Sequence, residues 1–319
     1  MLSARHLLAI GTTSGAGTLN VSGAVFDFNT AAVTTPITFD AATNVVGGTV
    51  TIPATEQLTM IGGTLSAAVV NQGLLLAHRT AVLRGTLTTA AGTLVNALGA
   101  VITPLTGAGG PRTLAAQLDN QSTITIGNPV GMTLAKASAV HTNRGTIAVT
   151  GGTFTLTQTG TTPTFTNTGT VNVASSRTWS ATGGVVTNAS TPTPGSIIGA
   201  GTVSFGSTTF VNDGVVAPAG ALAAGILNYT GPFALGAAAT LNLELGGTAV
   251  SAYDKLAISG TAALGGTLNV TLFGGFTPIV GATFSIMTYS GTPTGAFTTT
   301  NLPPGCSASP LSGQLLITC

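Results

Sequence analysis

Charge is almost missing from this chain. Only 8 Lys or Arg and 7 Asp or Glu stand among 319 residues, 5% in all, where a globular chain carries about 25%. With a net charge of +1 and its basic residues scattered, the chain cannot capture nucleic acid or an anionic membrane electrostatically, since that requires Lys and Arg gathered on one face. Nucleic acid is therefore not an expected partner. Long hydrophobic runs are missing too. The least polar stretch, Ala217 to Leu227, is broken by Pro218 and by glycines, and falls well short of the ~20 residues of a spanning helix. No membrane insertion is expected. The first segment, Met1 to Ile10, offers an apolar core shorter than the ~7 to 15 residues of a secretory leader. An exported form would then have lost its signal, or be part of a longer chain.

Cysteine is absent before the C-terminal end, where Cys306 and Cys319 bracket Pro310, Ser312 and Gly313. That spacing excludes a CxxC redox motif and a zinc site. A disulfide fastening the last strand in an oxidising compartment is the expectation, against two reduced buried thiols.

What the chain does have is Thr (60) and Gly (45) in short alternating strands such as Thr123-Ile-Thr-Ile126, Thr153-Phe-Thr-Leu156 and Thr267-Leu-Asn-Val-Thr-Leu272. Period-two alternation of β-branched and aromatic residues argues for strands with one face buried, and no window carries a helical stripe. An asparagine recurs with these strands: Asn120-Gln-Ser-Thr-Ile124, Asn143-Arg-Gly145-Thr-Ile147 and Asn167-Thr-Gly169-Thr-Val171, with looser copies at Asn71, Asn96, Asn188 and Asn212. Successive copies stand about 24 residues apart, and a near-constant period of that size marks stacked repeats, because one unit cannot bury its own apolar face.

The expected fold is all-β, a parallel β-solenoid with coils of about 24 residues, since three short strands and three turns use about that many. Over residues 1–225 this gives roughly nine coils at that ~24-residue step. Ile124, Ile147 and Val171 should stand in a vertical interior column. The corner asparagines Asn71, Asn96, Asn120, Asn143, Asn167 and Asn212 should stack and hydrogen-bond along the axis. The glycines Gly73, Gly145, Gly169 and Gly214 should follow them in a backbone conformation closed to most residues. These are structural roles.

From about Gly225 the pattern changes. The run Tyr253-Asp-Lys-Leu, Leu264-Gly-Gly-Thr-Leu-Asn-Val, then Gly275-Phe-Thr-Pro-Ile-Val-Gly-Ala-Thr-Phe-Ser-Ile286 resembles the closing element of bacterial β-solenoid exoproteins of the autotransporter-passenger and filamentous-haemagglutinin-like kind. The resemblance is confined to the stretch from Gly225 to Phe297 and implies an exported bacterial surface protein. No membrane barrel follows it, so the chain would not be a complete autotransporter. The expected division is a repeat domain over 1–225, a β-rich terminal unit over 226–300 and a disulfide-tied tail over 301–319.

Candidate chemistry is sparse. The acids Asp27, Asp40, Glu56, Asp119, Asp213, Glu244 and Asp254 do not pair by coil stacking, and catalysis needs an acid and a base within reach of one substrate. His6, His78 and His141 share no short motif. Gly107-Ala-Gly-Gly-Pro-Arg112 lacks the Lys-Ser/Thr of a phosphate loop. Asp254 beside Lys255 reads as a strand-end turn whose carboxylate caps backbone N–H groups, with calcium as the alternative. Thr-x-Thr pairs suggest an ice-binding face, but their phase against the corner asparagines wanders.

The expectation is thus a non-catalytic structural exoprotein, secreted or on the cell surface, without cofactor or metal. Its partners would be copies of itself in a head-to-tail filament or layer, because low charge and open strand edges favour association. The alternatives are an adhesin stalk or phage-type fibre meeting cell-surface glycans through Thr, Asn and exposed aromatics such as Trp179, and a polysaccharide-active enzyme.

Overall fold

The computed structural model describes residues 131–319 throughout. Before them it describes 93–99, 101–104, 112–127 and 129, with the backbone of further strands from Arg5 onward and the side chains of Asn20 and of Ile37 to Phe39. Among the described residues the chain is β-strand and turn, with one short 3₁₀ turn at Val250–Ala252. No described helix is long and apolar enough to cross a membrane. The fold is the parallel β-solenoid expected from the spacing. It divides into two compact units, Met1–Thr164 and Phe165–Cys319.

In the first unit, strands Leu19–Val21, Ile37–Phe39, Gln57–Met60, Leu74–Ala77, Val101–Pro104, Thr123–Ile126 and Thr146–Val149 pair in that order, all parallel. Each comes from the next coil. The second face runs through Ala68–Asn71, Thr86–Asn96 and Arg112–Asn120, then onto Met132–Ala135 and Val140–Asn143. Alternation fixes the register: Ile124 lies opposite Ile147, both fully buried, while Thr123 and Thr146 face outward. A one-residue slip would turn every apolar side chain to solvent. Thr125 lies opposite Ala148, so the Thr-x-Thr pair is not repeated on the next coil.

In the second unit, Thr170–Val173, Ser196–Gly199, Val215–Pro218, Thr240–Leu245, Thr267–Leu272 and Thr299–Asn301 form one parallel sheet. Val171, Ile197, Val216, Leu241 and Leu268 make its inner column, none more than 3% exposed. Each such side chain contributes about 1.5–3 kcal/mol by leaving water. Val171 thus heads a column within its own unit. The coils lengthen towards the C-terminus: Val216 pairs with Leu241, Leu241 with Leu268 and Leu268 with Thr300, each step longer than the one before. Beside this sheet, Phe165, Trp179 and Phe205 pack edge to face at 5.7 and 4.7 Å.

The parallel order ends in an antiparallel hairpin, Ser307–Leu311 with Gln314–Thr318, which pairs through its second strand with Thr283–Thr288. The Cys306–Cys319 disulfide forms as expected and closes the open end of that hairpin, next to the Ser307/Thr318 pair.

Candidate functional site: asparagine columns and an acidic groove

The corner asparagines stack. In the first unit Asn96 Nδ2 donates to Asn120 Oδ1 at 2.7 Å and Asn120 Nδ2 to Asn143 Oδ1 at 2.6 Å. In the second, Asn167 Nδ2 donates to Asn188 Oδ1 at 2.9 Å and Asn188 Nδ2 to Asn212 Oδ1 at 2.8 Å. All six are at most 2% exposed. The same amide nitrogens also reach backbone carbonyls of the next strand, as from Asn188 Nδ2 to Val215 O at 3.1 Å. A buried amide must find such partners, and a corner repeated every coil supplies them. The second column stops at Asn212, whose Nδ2 is buried without a partner among the described residues. Asn71 lies in backbone register with Asn96; its side chain, like Gly73, is outside the described residues.

The glycines serve the corner for a different reason from the one expected. Neither Gly145 nor Gly214 has a left-handed backbone; instead a Cβ on Gly145 would stand 1.9 Å from Ser122 O, and one on Gly214 2.3 Å from Gly195 O. The neighbouring coil leaves no room. Gly169 accepts a hydrogen bond from Ser196 N through its carbonyl and also lacks a positive φ.

Trp179 is not an exposed contact residue. It is fully buried, because its position in Thr178–Thr182 shares the inward register with Val203. His141 is buried as well. Its Nδ1 accepts from Leu118 N at 3.2 Å while Nε2 has no partner among the described residues. Burial first, and Lys136 second, lower its pKa to about 4, leaving a neutral imidazole. His78, Asp40, Glu56 and Gly107 to Pro111 lie outside the described residues, as do the side chains of His6 and Asp27. Asp119 pairs with Arg144 of the next coil. Among the described residues no three His, Cys, Asp or Glu gather as a metal site would require.

Sequence spacing missed one juxtaposition. Glu244 and Asp254 meet because the chain leaves Thr240–Leu245, makes the 3₁₀ turn at Val250–Ala252 and returns through an antiparallel bridge between Leu245 and Tyr253. Asp254, 1% exposed, accepts from Gly225 N at 3.0 Å through Oδ1 and from Glu244 N at 3.1 Å through Oδ2. Capping of backbone N–H groups is the role expected for it. Glu244 Oε2 accepts from Ala223 N at 3.2 Å, so both acids hold the same loop. Burial raises the Asp254 pKa to about 8; the two N–H bonds oppose the rise and Glu244 adds to it. With one backbone N–H on each oxygen, Asp254 anchors the loop.

These acids border a groove of about 660 Å³ on the outer face of the second unit. An outer row of asparagines lies along it: Asn269 Nδ2 donates to Asn242 Oδ1 at 2.8 Å and Asn301 Nδ2 to Asn269 Oδ1 at 2.7 Å. Pro303, Pro304, Gly220 and Ala221 also line the groove.

No family model and no curated protein matches the chain.

Proposed function

We propose that this chain is an exported structural protein of a bacterial cell surface, whose copies associate end-on through the strand edge at Thr299–Asn301. The observation that carries the reading is that edge. The strand pairs with Thr267–Leu272 on one side only, and all three of its residues are exposed. Unpaired N–H and C=O groups in such a strand invite another strand, and natural proteins usually guard edges with charge or proline. No charge lies in Thr299–Asn301. The hairpin Ser307–Thr318 pairs with Thr283–Thr288 of a different sheet and leaves the Thr299–Asn301 edge unpaired. A disulfide favours an oxidising compartment, and the bacterial surface part of the reading rests on the resemblance of the C-terminal run. The role is mechanical, with Asp119 engaged by Arg144 and His141 enclosed in the core.

Sedimentation velocity over a range of concentrations, with electron microscopy of the same samples, tests it. Concentration-dependent oligomers are expected, and Thr300→Pro, which takes a donor from the edge, should reduce them to single particles. Single particles of the unmodified chain at every concentration would contradict the reading.

A further inference from the structure

The groove of the second unit has a chemistry of its own, although it shares Asn301 with the edge proposed for self-association. Its volume of about 660 Å³ lies within the range of small-ligand sites. Its polar lining is amide, hydroxyl and carboxylate: Asn242, Asn269, Asn301, Thr271, Glu244 and Asp254. No Lys or Arg lines it, so an anionic ligand would meet Glu244 with nothing to neutralise it.

The outer asparagine row leaves matching ends. Asn242 Nδ2 at one end and Asn301 Oδ1 at the other make no hydrogen bond among the described residues, since each row bond uses the opposite atom of its amide. Glu244 Oε1 is a further open acceptor, its other oxygen holding Ala223 N. The donor at one end of the row and the acceptor at the other, two strand spacings or about 10 Å apart, suit hydroxyl groups, which both give and take hydrogen bonds. Leu272, Leu302, Pro303 and Pro304 add apolar surface for C–H faces.

We propose that this groove binds an uncharged oligosaccharide, with Asn242, Asn301 and Glu244 contacting its hydroxyls. Of the Thr, Asn and exposed aromatics such as Trp179 that the sequence offers for glycan contact, this reading keeps the outer asparagines, since Trp179 is buried.

The test is titration of the purified chain with cellotriose, maltotriose, mannotriose and trigalacturonate, followed by calorimetry and by side-chain amide NMR. Saturable binding of at least one neutral trisaccharide is expected, with shifts at the Asn242 and Asn301 amides. Asn301→Ala, at an exposed position, should weaken it roughly tenfold, and Glu244→Gln should weaken it while leaving the circular dichroism unchanged. Absence of binding by all three neutral sugars, binding of trigalacturonate alone, or binding that both variants leave unchanged would each overturn the proposal.

Discussion

The backbone N–H of Glu244 donates to Asp254 Oδ2 at 3.1 Å, joining two acids that stand on no common repeat of the chain. Desolvation dominates the electrostatics of Asp254 and raises its pKa from 3.8 to about 8. Between those values the folded chain keeps a proton that the unfolded chain has released. Stability therefore falls as pH rises across that window, by at most about 1.4 kcal/mol per pH unit, and levels off above it. Urea unfolding at several pH values checks this. Asp254→Asn should be less stable at low pH, since its amide nitrogen would face a backbone N–H, yet should lose this slope.

His141 acts with the opposite sign. Its folded pKa of about 4 lies below the ordinary 6.5, so in that interval the unfolded chain binds a proton that the folded chain refuses. Stability contributed by this group rises with pH from about 4 to 6.5. His141→Asn, which keeps an acceptor for Leu118 N, should remove that rise. A variant whose stability between those pH values still tracks the unmodified chain would contradict the enclosed imidazole.

Asn188 sits mid-column, accepting from Asn167 and donating to Asn212. Asn188→Ala strands amide groups of both neighbours in the core, and should lower the unfolding free energy by about 2–4 kcal/mol. Asn301→Ala, in the exposed row, should stay within about 0.5 kcal/mol. Equal costs for the two would show that column burial is not what stabilises the corner.

A methyl group at Gly145 would meet Ser122 O at 1.9 Å, whereas one at Gly127 meets only side chains at 3.6 and 3.8 Å. Gly145→Ala should therefore cost upwards of about 3 kcal/mol and Gly127→Ala almost nothing. Thermal unfolding of the two variants separates them.

The corner asparagines were legible because a buried amide at a repeated corner needs a partner one coil away, and Asn96, Asn120 and Asn143 carry that spacing openly. The alternation around Ile124 and Ile147 was legible for the same reason. The outer row was not: Asn242, Asn269 and Asn301 stand 27 and 32 residues apart, steps that the shorter corner pattern passes over. Nor was the Glu244–Asp254 contact, which depends on a local return of the chain through Val250–Ala252. Trp179 misled because a lone aromatic among threonines reads as surface until register turns it inward beside Phe165 and Phe205. The corner glycine was recognised but its cause was not, since the approach of Ser122 is a property of the next coil and not of the Asn-x-Gly segment.

Coils lie directly upon one another in the second unit, where Val215, Thr240, Thr267 and Thr299 occupy one outward register on four successive strands. Spin labels on Val215→Cys and Thr299→Cys, read by pulsed electron paramagnetic resonance, measure that stack directly. Three strand spacings predict a narrow backbone separation of about 14 Å, lengthened only by the label arms. A distribution centred beyond about 25 Å, more than five spacings, would contradict it.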